Sequence, residues 1–358
     1  MLQRDMTDLT TQSETKRAPT SADVARLAGV SQTTVSQVLN GKAGVARIAS
    51  ETRDKVLEAA RQLGYTPNHA ARSLRERRTK LIALILPTID NPYFSDVVNA
   101  AQEAAREAGY AVAVIPIRAG EEFRVSTFLQ GAACDGIIVA GHDNCSSPEL
   151  QILRARGLAV AVLQERSPDP AISSVSVDLA EGGYLATHHL AGLGHRRIGH
   201  ITERLRPAAD GRSRIDGYRR ALAEAGLFFD PALVVVTENS MAGGAAGLDR
   251  LLEADGEPAT AAFVYNDQLA VGVLARLRER GQRVPEDFAV VGFDGLAIGA
   301  FTAPPLTTVD SPRGALGRLA AETLIRAIET GADVGETHRL PVRLEVRGSC
   351  GARERPAP

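Results

Sequence analysis

The spacing of apolar residues changes rhythm once along this chain, near residue 81. Before that point it is helical. Val24, Ala25, Leu27 and Ala28 form one inward stripe, and Val35, Val38 and Leu39 form a second. Gly29 between them predicts a tight turn, since a residue without Cβ adopts positive φ at little cost. Ser31 is placed to cap the second helix. Gln32, Thr33, Ser36 and Gln37 are then left facing outward. Short neutral side chains that both donate and accept suit the base edges of a major groove, although a small helical hairpin with a polar face carries the same pattern. A third helix is predicted with Ser50 as N-cap, Glu51 in the first turn, and Val56, Leu57, Ala60 and Leu63 inward. Gly64 closes it and Pro67 prevents its continuation. Residues 67–80, rich in Ala and Arg, are too short and polar to hold a helix in isolation, and are read as a linker that folds on a polyanion.

From residue 81 the rhythm becomes that of strands and helices in alternation. "LIALILP", "AVAVIPI", "GIIVAG" and "LAVAVLQ" are followed further on by "RIGHIT", "LVVVTE", "TAAFVYND" and "FAVVGFD". Near-continuous apolar strands separated by amphipathic helices imply parallel sheets covered on both faces. About 280 residues exceed one such sheet, so two doubly wound α/β subdomains are expected. Ligands of such folds bind beyond the carboxyl ends of the strands, where Tyr93–Phe94, His142, Asn266–Asp267 and Asp294 fall.

Charge sharpens this division. The chain has 358 residues and a net charge of −2. Residues 19–80 hold eleven basic against five acidic side chains, a net of +6, and the balance from residue 81 onward is −8. A small basic module on a larger acidic body points to a nucleic-acid-binding head attached to something with another task. Residues 1–18 read as a polar disordered tail with no apolar signal segment, and no apolar run approaches a membrane span. Cys134, Cys145 and Cys350 have neither metal-like nor disulfide-like spacing, which suits a reducing compartment. A cytoplasmic location is expected.

The ordered motifs "DVARLAGVSQTTVSQVLNG", "ETRDKVLEAARQLGYTPNHAARSL", "GHRRIGHI", "RSRIDGYRRAL", "YNDQLAVGVL", "VPEDFAVVGFD" and "PPLTTVD" cover about residues 19–348. Together they resemble the lactose/galactose repressor family of bacterial transcription regulators. The resemblance implies an α/β protein with a three-helix helix-turn-helix head over 19–66 and a hinge helix and linker over 67–80. A body over 81–358, resembling periplasmic sugar-binding proteins, would bind an effector and dimerise. Three crossings between its subdomains are expected near Asp178, near Thr307–Asp310 and after Gly331. That assigns 81–178 and 310–331 to the first subdomain, and 179–306 and 332–350 to the second.

By the same resemblance, Gln32 and Thr33 read bases while Thr34 and Ser36 meet phosphates. Gln37 stands where many members have an arginine, so a pairing with adenine replaces the usual guanine contact. The loop 41–50 is longer than in many relatives. Asn68 and Ala71 belong to the hinge helix, and Leu74 matches the leucine that wedges into a central minor-groove step of a pseudo-palindromic operator. A leucine packing the linker onto the body is the alternative. Asp294 and Arg214 match the effector-binding pair, Asn266 and Asp267 lie where effector hydroxyls are bound, and Tyr93 and Phe94 stack on or wall the ligand. Asp267 as a helix cap and Tyr93 as plain core are the competing readings. Ala208, Asp210 and Asn239 depart from the purine-responsive members, which favours a sugar or sugar derivative.

Other classes fare worse. His188, His189, His195 and His200 are explained by helix packing and turn hydrogen bonds rather than by a metal. G-x-S-x-G, the P-loop and G-x-G-x-x-G are all missing, so no enzyme and no cofactor is implied. A sugar-binding transport protein or an enzyme built on the same body would lack the head. The resulting expectation is a homodimeric repressor controlled by a small carbohydrate-like ligand. The final "RGSCGARERPAP" carries no heptad repeat for a helical tetramer.

Overall fold

The computed structural model describes residues 19–39, 48–66, 78–117, 134–141, 148–164, 166–167, 169–203, 213–254, 256–331 and 335–351. The chain divides between Thr79 and Lys80 into two compact units.

In the first unit, helix α1 (Ser21–Ala28) opens with a capping box in which Thr20 and Asp23 satisfy each other's backbone N–H groups. Gly29, at φ 65°, ends it. The Ser31 hydroxyl accepts from the Thr34 N–H at 3.1 Å and caps α2 (Gln32–Leu39) as expected. Helix α3 (Ser50–Leu63) closes at Gly64 in the left-handed region. Its N-cap is Ala49, one residue earlier than the expected Ser50, and no side chain serves there. The three helices share a core of Val24, Ala25, Val35, Val56, Ala59 and Ala60. Two residues expected inward are not: Leu27 is 51% exposed and Leu57 43% exposed. A core of valines and alanines needs only a narrow arc of each helix, and the apolar stripe in the sequence is wider than that arc.

The second unit contains two six-stranded sheets. In the first, β1 (Leu81–Leu86), β2 (Ala111–Pro116), β3 (Gly136–Ala140), β4 (Ala159–Leu163), β5 (Ser173–Val177) and β11 (Thr337–Leu340) run in the order β11-β5-β4-β3-β1-β2, all parallel. The second comprises β6 (Ile198–Thr202), β7 (Val234–Val236), β8 (Ala261–Val264), β9 (Ala289–Asp294), β10 (Thr307–Asp310) and the antiparallel edge strand β12 (Arg343–Glu345). Its order is β12-β10-β9-β8-β6-β7. Strand alternation sends Ile82, Leu84 and Leu86 to one face and Ala83 and Ile85 to the other. Helices α4 (Pro92–Glu107) and α10 (Arg313–Thr330) pack together and cover the first of those faces, and α5 (Pro148–Ala155) lies on the other. Around the second sheet lie α6 (Leu179–Gly192), α7 (Arg214–Glu224), α8 (Met241–Leu252) and α9 (Asp267–Glu279).

The crossings fall after β5, after β10 and between Leu340 and Arg343. The third corrects the boundaries drawn from sequence. Thr337–Leu340 pairs with β5 and so belongs to the first subdomain, not to the second as residues 332–350 were assigned. Thr307–Asp310 pairs with β9 and completes the second. Strands β5, β10, β11 and β12 read SSVSV, TTVD, THRL and RLE, without the apolar runs that mark the other eight. All four flank crossings.

Candidate functional site

Asp294 is the last residue of β9 and sits at φ 107°, a left-handed conformation that an L side chain rarely adopts. Outliers of this kind concentrate at ligand sites, where surrounding structure over-determines the backbone. Arg214 is the first residue of α7, just past Ser213, whose backbone N–H bonds the Asp216 carboxylate at 2.9 Å. A Cβ at Gly183 of α6 would collide with the Arg214 carbonyl, so this glycine lets the two helices approach closely and fixes where Arg214 begins. The Arg214 guanidinium lies between two rings, 4.3 Å from the Tyr265 centroid and 4.1 Å from that of Phe293. One terminal nitrogen stands 3.8 Å from Asp294 Oδ1. Its Nε is buried without a hydrogen-bond partner among the described residues.

Burial pushes the Asp294 carboxyl up to about 8, and the nearby Asp267 adds to the rise while Arg214 opposes it. Desolvation therefore outweighs the attraction of a guanidinium that is close but not in contact. The Asn91 side chain accepts from the Tyr93 N–H at 2.9 Å and, with Pro92 behind it, starts α4 so that Tyr93 falls in the first turn. Burial, then the charge of Asp294, pushes the Tyr93 hydroxyl up to about 12, and Ser311 and Gln164 lie beside it. Tyr93 and Phe94 meet edge to face at 5.3 Å. Both belong to the core of the first subdomain, which also takes in Leu296 from the loop after β9. The structure thus brings Tyr93 together with Arg214 and Asp294 across the subdomain boundary, with Phe94 packed against Tyr93. Tyr93 and Asp294 are each only 4% exposed.

Two expected hydroxyl-binding residues behave otherwise. Asp267 is fully buried, with Oδ2 accepting from the Leu296 N–H and Oδ1 from the Thr308 hydroxyl, each at 2.6 Å. Both oxygens are spent on holding the loop after β9 to β10, and burial raises this carboxyl to about 7. Asn266, not Asp267, caps α9 through the Leu269 N–H, and its amide donates to Asn239 at 2.8 Å. Asn239, which is exposed, in turn donates to the half-buried Glu203 at 3.0 Å, so the Asn266 amide is engaged in a polar chain that runs outward. Sequence reasoning missed Gln164, Ser311, Arg313, Tyr265 and Phe293. Gln164 follows β4 directly at φ 72°, and the rule of strand carboxyl ends could have found it.

The four histidines singled out earlier each have a packing or hydrogen-bond partner. His200 stacks between Tyr218 and Phe263 and bonds the Phe263 carbonyl through Nδ1. His195 meets Thr260, His189 meets Cys350, and His188 stacks on Tyr184. Among the described residues no group of three or more His, Cys, Asp or Glu is placed to hold a metal, and no helix is long and apolar enough to cross a membrane. In the first unit, Gln32 and Thr33 are exposed, and Thr34, Ser36 and Gln37 are half-buried. The Thr34 and Ser31 hydroxyls lie 2.9 Å apart. Asn68, Ala71 and Leu74, with His142, Ala208 and Asp210, lie outside the described residues.

Comparison with known proteins places both units. Residues 20–68 match the family described as bacterial regulatory proteins, lacI family, and residues 187–350 match the periplasmic binding protein-like domain. The ribose operon repressor of Haemophilus influenzae is 34% identical over 338 residues, covering 94% of this chain and 98% of that protein. A transcriptional regulator CelR–cellobiose complex shares 32% identity at a TM-score of 0.69, over 92% of this chain and 99% of that one. The lac repressor dimer bound to operator and the anti-inducer ONPF shares 27% identity at a TM-score of 0.79, over 93% and 99%.

Proposed function

The chain belongs to the lacI family of bacterial regulatory proteins, and we propose that it acts in the cytoplasm as a homodimeric repressor whose hold on its operator is set by a small sugar-like effector in the cleft. DNA-binding transcription regulation is the function of the family. The reading for this chain rests on one observation above all: Asp294 and Arg214 of one subdomain face Tyr93 of the other. A carboxylate and a guanidinium can grip neighbouring hydroxyls of a polyol, and aromatic rings can cover its apolar face. Because these groups are nearly sealed from solvent, a ligand enters only as the subdomains part, and it binds open and closed arrangements unequally. That inequality is what lets a ligand shift an equilibrium at all. The cellobiose complex of CelR supports a saccharide over other small molecules.

On the DNA side, Gln32, Thr33 and Gln37 read base edges and Thr34 and Ser36 hold phosphates. Asn68, Ala71 and Leu74 act as the hinge, with Leu74 and its mate wedging into the centre of a pseudo-palindromic site. Footprinting should show a symmetric protected site, and Leu74→Ala should lose specific binding while keeping weak non-specific binding. The effector is tested by thermal shift against a panel of mono- and disaccharides and purine bases. A ligand at 100 times its Kd adds about 2.7 kcal/mol of apparent stability. Stabilisation by a saccharide that is absent in Asp294→Ala supports the reading. Stabilisation by a purine alone overturns it.

A further inference from the structure

Arg313 is the first residue of α10, immediately after the chain crosses from β10 back to the first subdomain. Its guanidinium makes contacts on both sides of that crossing. Nη1 donates to the main-chain carbonyl of Asp294 and, at 3.3 Å, to that of Ser311. Nε donates to the Asp96 carboxylate at 2.8 Å, and Asp310 Oδ1 lies 3.7 Å from Nη1. The Arg313 side chain is 13% exposed, so its bonds to the main-chain carbonyls form where water competes little, while its Asp96 partner stands 53% exposed at the rim. Asp96 stands one turn beyond Tyr93 on α4. The Asp294 carbonyl is also the acceptor for the Ser311 N–H, at 3.4 Å. One planar fork therefore ties the left-handed Asp294 backbone to the helix that carries Tyr93.

We propose that Arg313 is a positioning residue of the cleft: it holds the Asp294 main chain to α4 through Asp96, so that both walls of the binding site are set as one unit. This rests on the cleft being the effector site. A lysine would keep the charge but lose the planar fork, since an ammonium cannot reach both partners with fixed geometry. Movement of one subdomain against the other must break either the Asp96 bond or the carbonyl bond, which makes Arg313 the place where closure is felt.

The test is hydrogen exchange on the full-length, ligand-free chain in wild type, Arg313→Ala, Arg313→Lys, Asp96→Asn and the Arg313→Ala/Asp96→Asn double variant. The reporters are the Gly295 and Leu296 amides, bonded to Thr308 and Asp267, and the Tyr93 amide, bonded to Asn91. Arg313→Ala should speed exchange at both groups by about tenfold, and Asp96→Asn should do so at both by less, with strands β3 and β8 unchanged. Arg313→Lys should fall between wild type and Arg313→Ala. The double variant should match Arg313→Ala, because the two residues act through one link. Faster exchange confined to the first turn of α10 would mean a local capping role and would overturn the proposal. So would additive effects in the double variant. Neither outcome depends on which ligand binds, so loss of the effector reading in the saccharide panel is a separate result.

Discussion

The two candidate sites of this protein are built on opposite terms. In the head, the groups proposed to meet DNA lie within six consecutive residues of one helix, and Gln32 and Thr33 stand in solvent. The cleft assembles residues from 93 to 313 and buries them, with Asp294 and Tyr93 each 4% exposed. Exposed polar side chains cost the head almost nothing to display, so its small core of valines and alanines suffices. Burial of a carboxylate is costly, and the raised Asp294 and Asp267 values record that cost. A surface site can be read from its own helix. A buried site depends on everything that closes over it, and for that reason it can sense a change in closure.

The comparison breaks most sharply at Asp294. Asp294→Ala should weaken effector binding about 100-fold by calorimetry, since the hydrogen bonds it removes are made in a desolvated site where they count most, while ligand-free operator binding stays nearly intact. Next is the stability of the head. Val35 is fully buried in the small core of the head, so Val35→Ala should cost about 2 kcal/mol. In scanning calorimetry of the full chain that cost should appear in the transition of the head and leave the transition of the body in place. A single transition shifting as a whole would show the two units to be thermodynamically one.

A change of letter at the head should be felt in DNA and nowhere else. Gln37→Arg should move the preferred base opposite that position from adenine to guanine in a binding-site selection, worth about 1–3 kcal/mol between the two bases, with effector affinity unaltered.

The last effect is on pH. Both buried carboxyls titrate higher in the folded body, about 8 for Asp294 and about 7 for Asp267, than the ordinary value of 3.8 that they regain on unfolding. Between those limits the folded state binds more protons than the unfolded, so these groups stabilise the body fully below pH 4 and their contribution fades as pH rises through 7–8. The Tm of the body should therefore fall from pH 5 to pH 8, and Asp294→Asn should flatten that fall. An equal slope in the variant would show that Asp294 is ionised throughout.

The same contrast decides what was legible in the sequence. The head was readable because its signals are local: Ser31, Gly29 and Gly64 act on residues within four positions. The sidedness of Leu27 and Leu57 was misjudged, since periodicity does not say how wide the buried arc is, and the N-cap of α3 fell on Ala49 rather than Ser50. In the body, eight strands announced themselves as apolar runs. Strand β11, THRL, did not, because its place is secured by pairing with β5 rather than by side-chain burial, and the third crossing was misplaced with it. Asp294 was singled out by the strand-end rule, and the family resemblance paired it with Arg214. The role of Asp267 was misread because its partners, Leu296 and Thr308, lie 29 and 41 residues away. Arg313 was invisible for the same reason: its link to Asp96 spans 217 residues.

The central claim is that the buried site governs the exposed one. The most direct measurement is operator affinity of the full-length protein with and without saturating effector, in wild type and in Asp294→Ala, at one fixed salt concentration. The account predicts a shift of about 5–150-fold in wild type and none in Asp294→Ala, whose ligand-free affinity equals that of wild type. An unchanged operator affinity in wild type, or the same shift in both proteins, would contradict it.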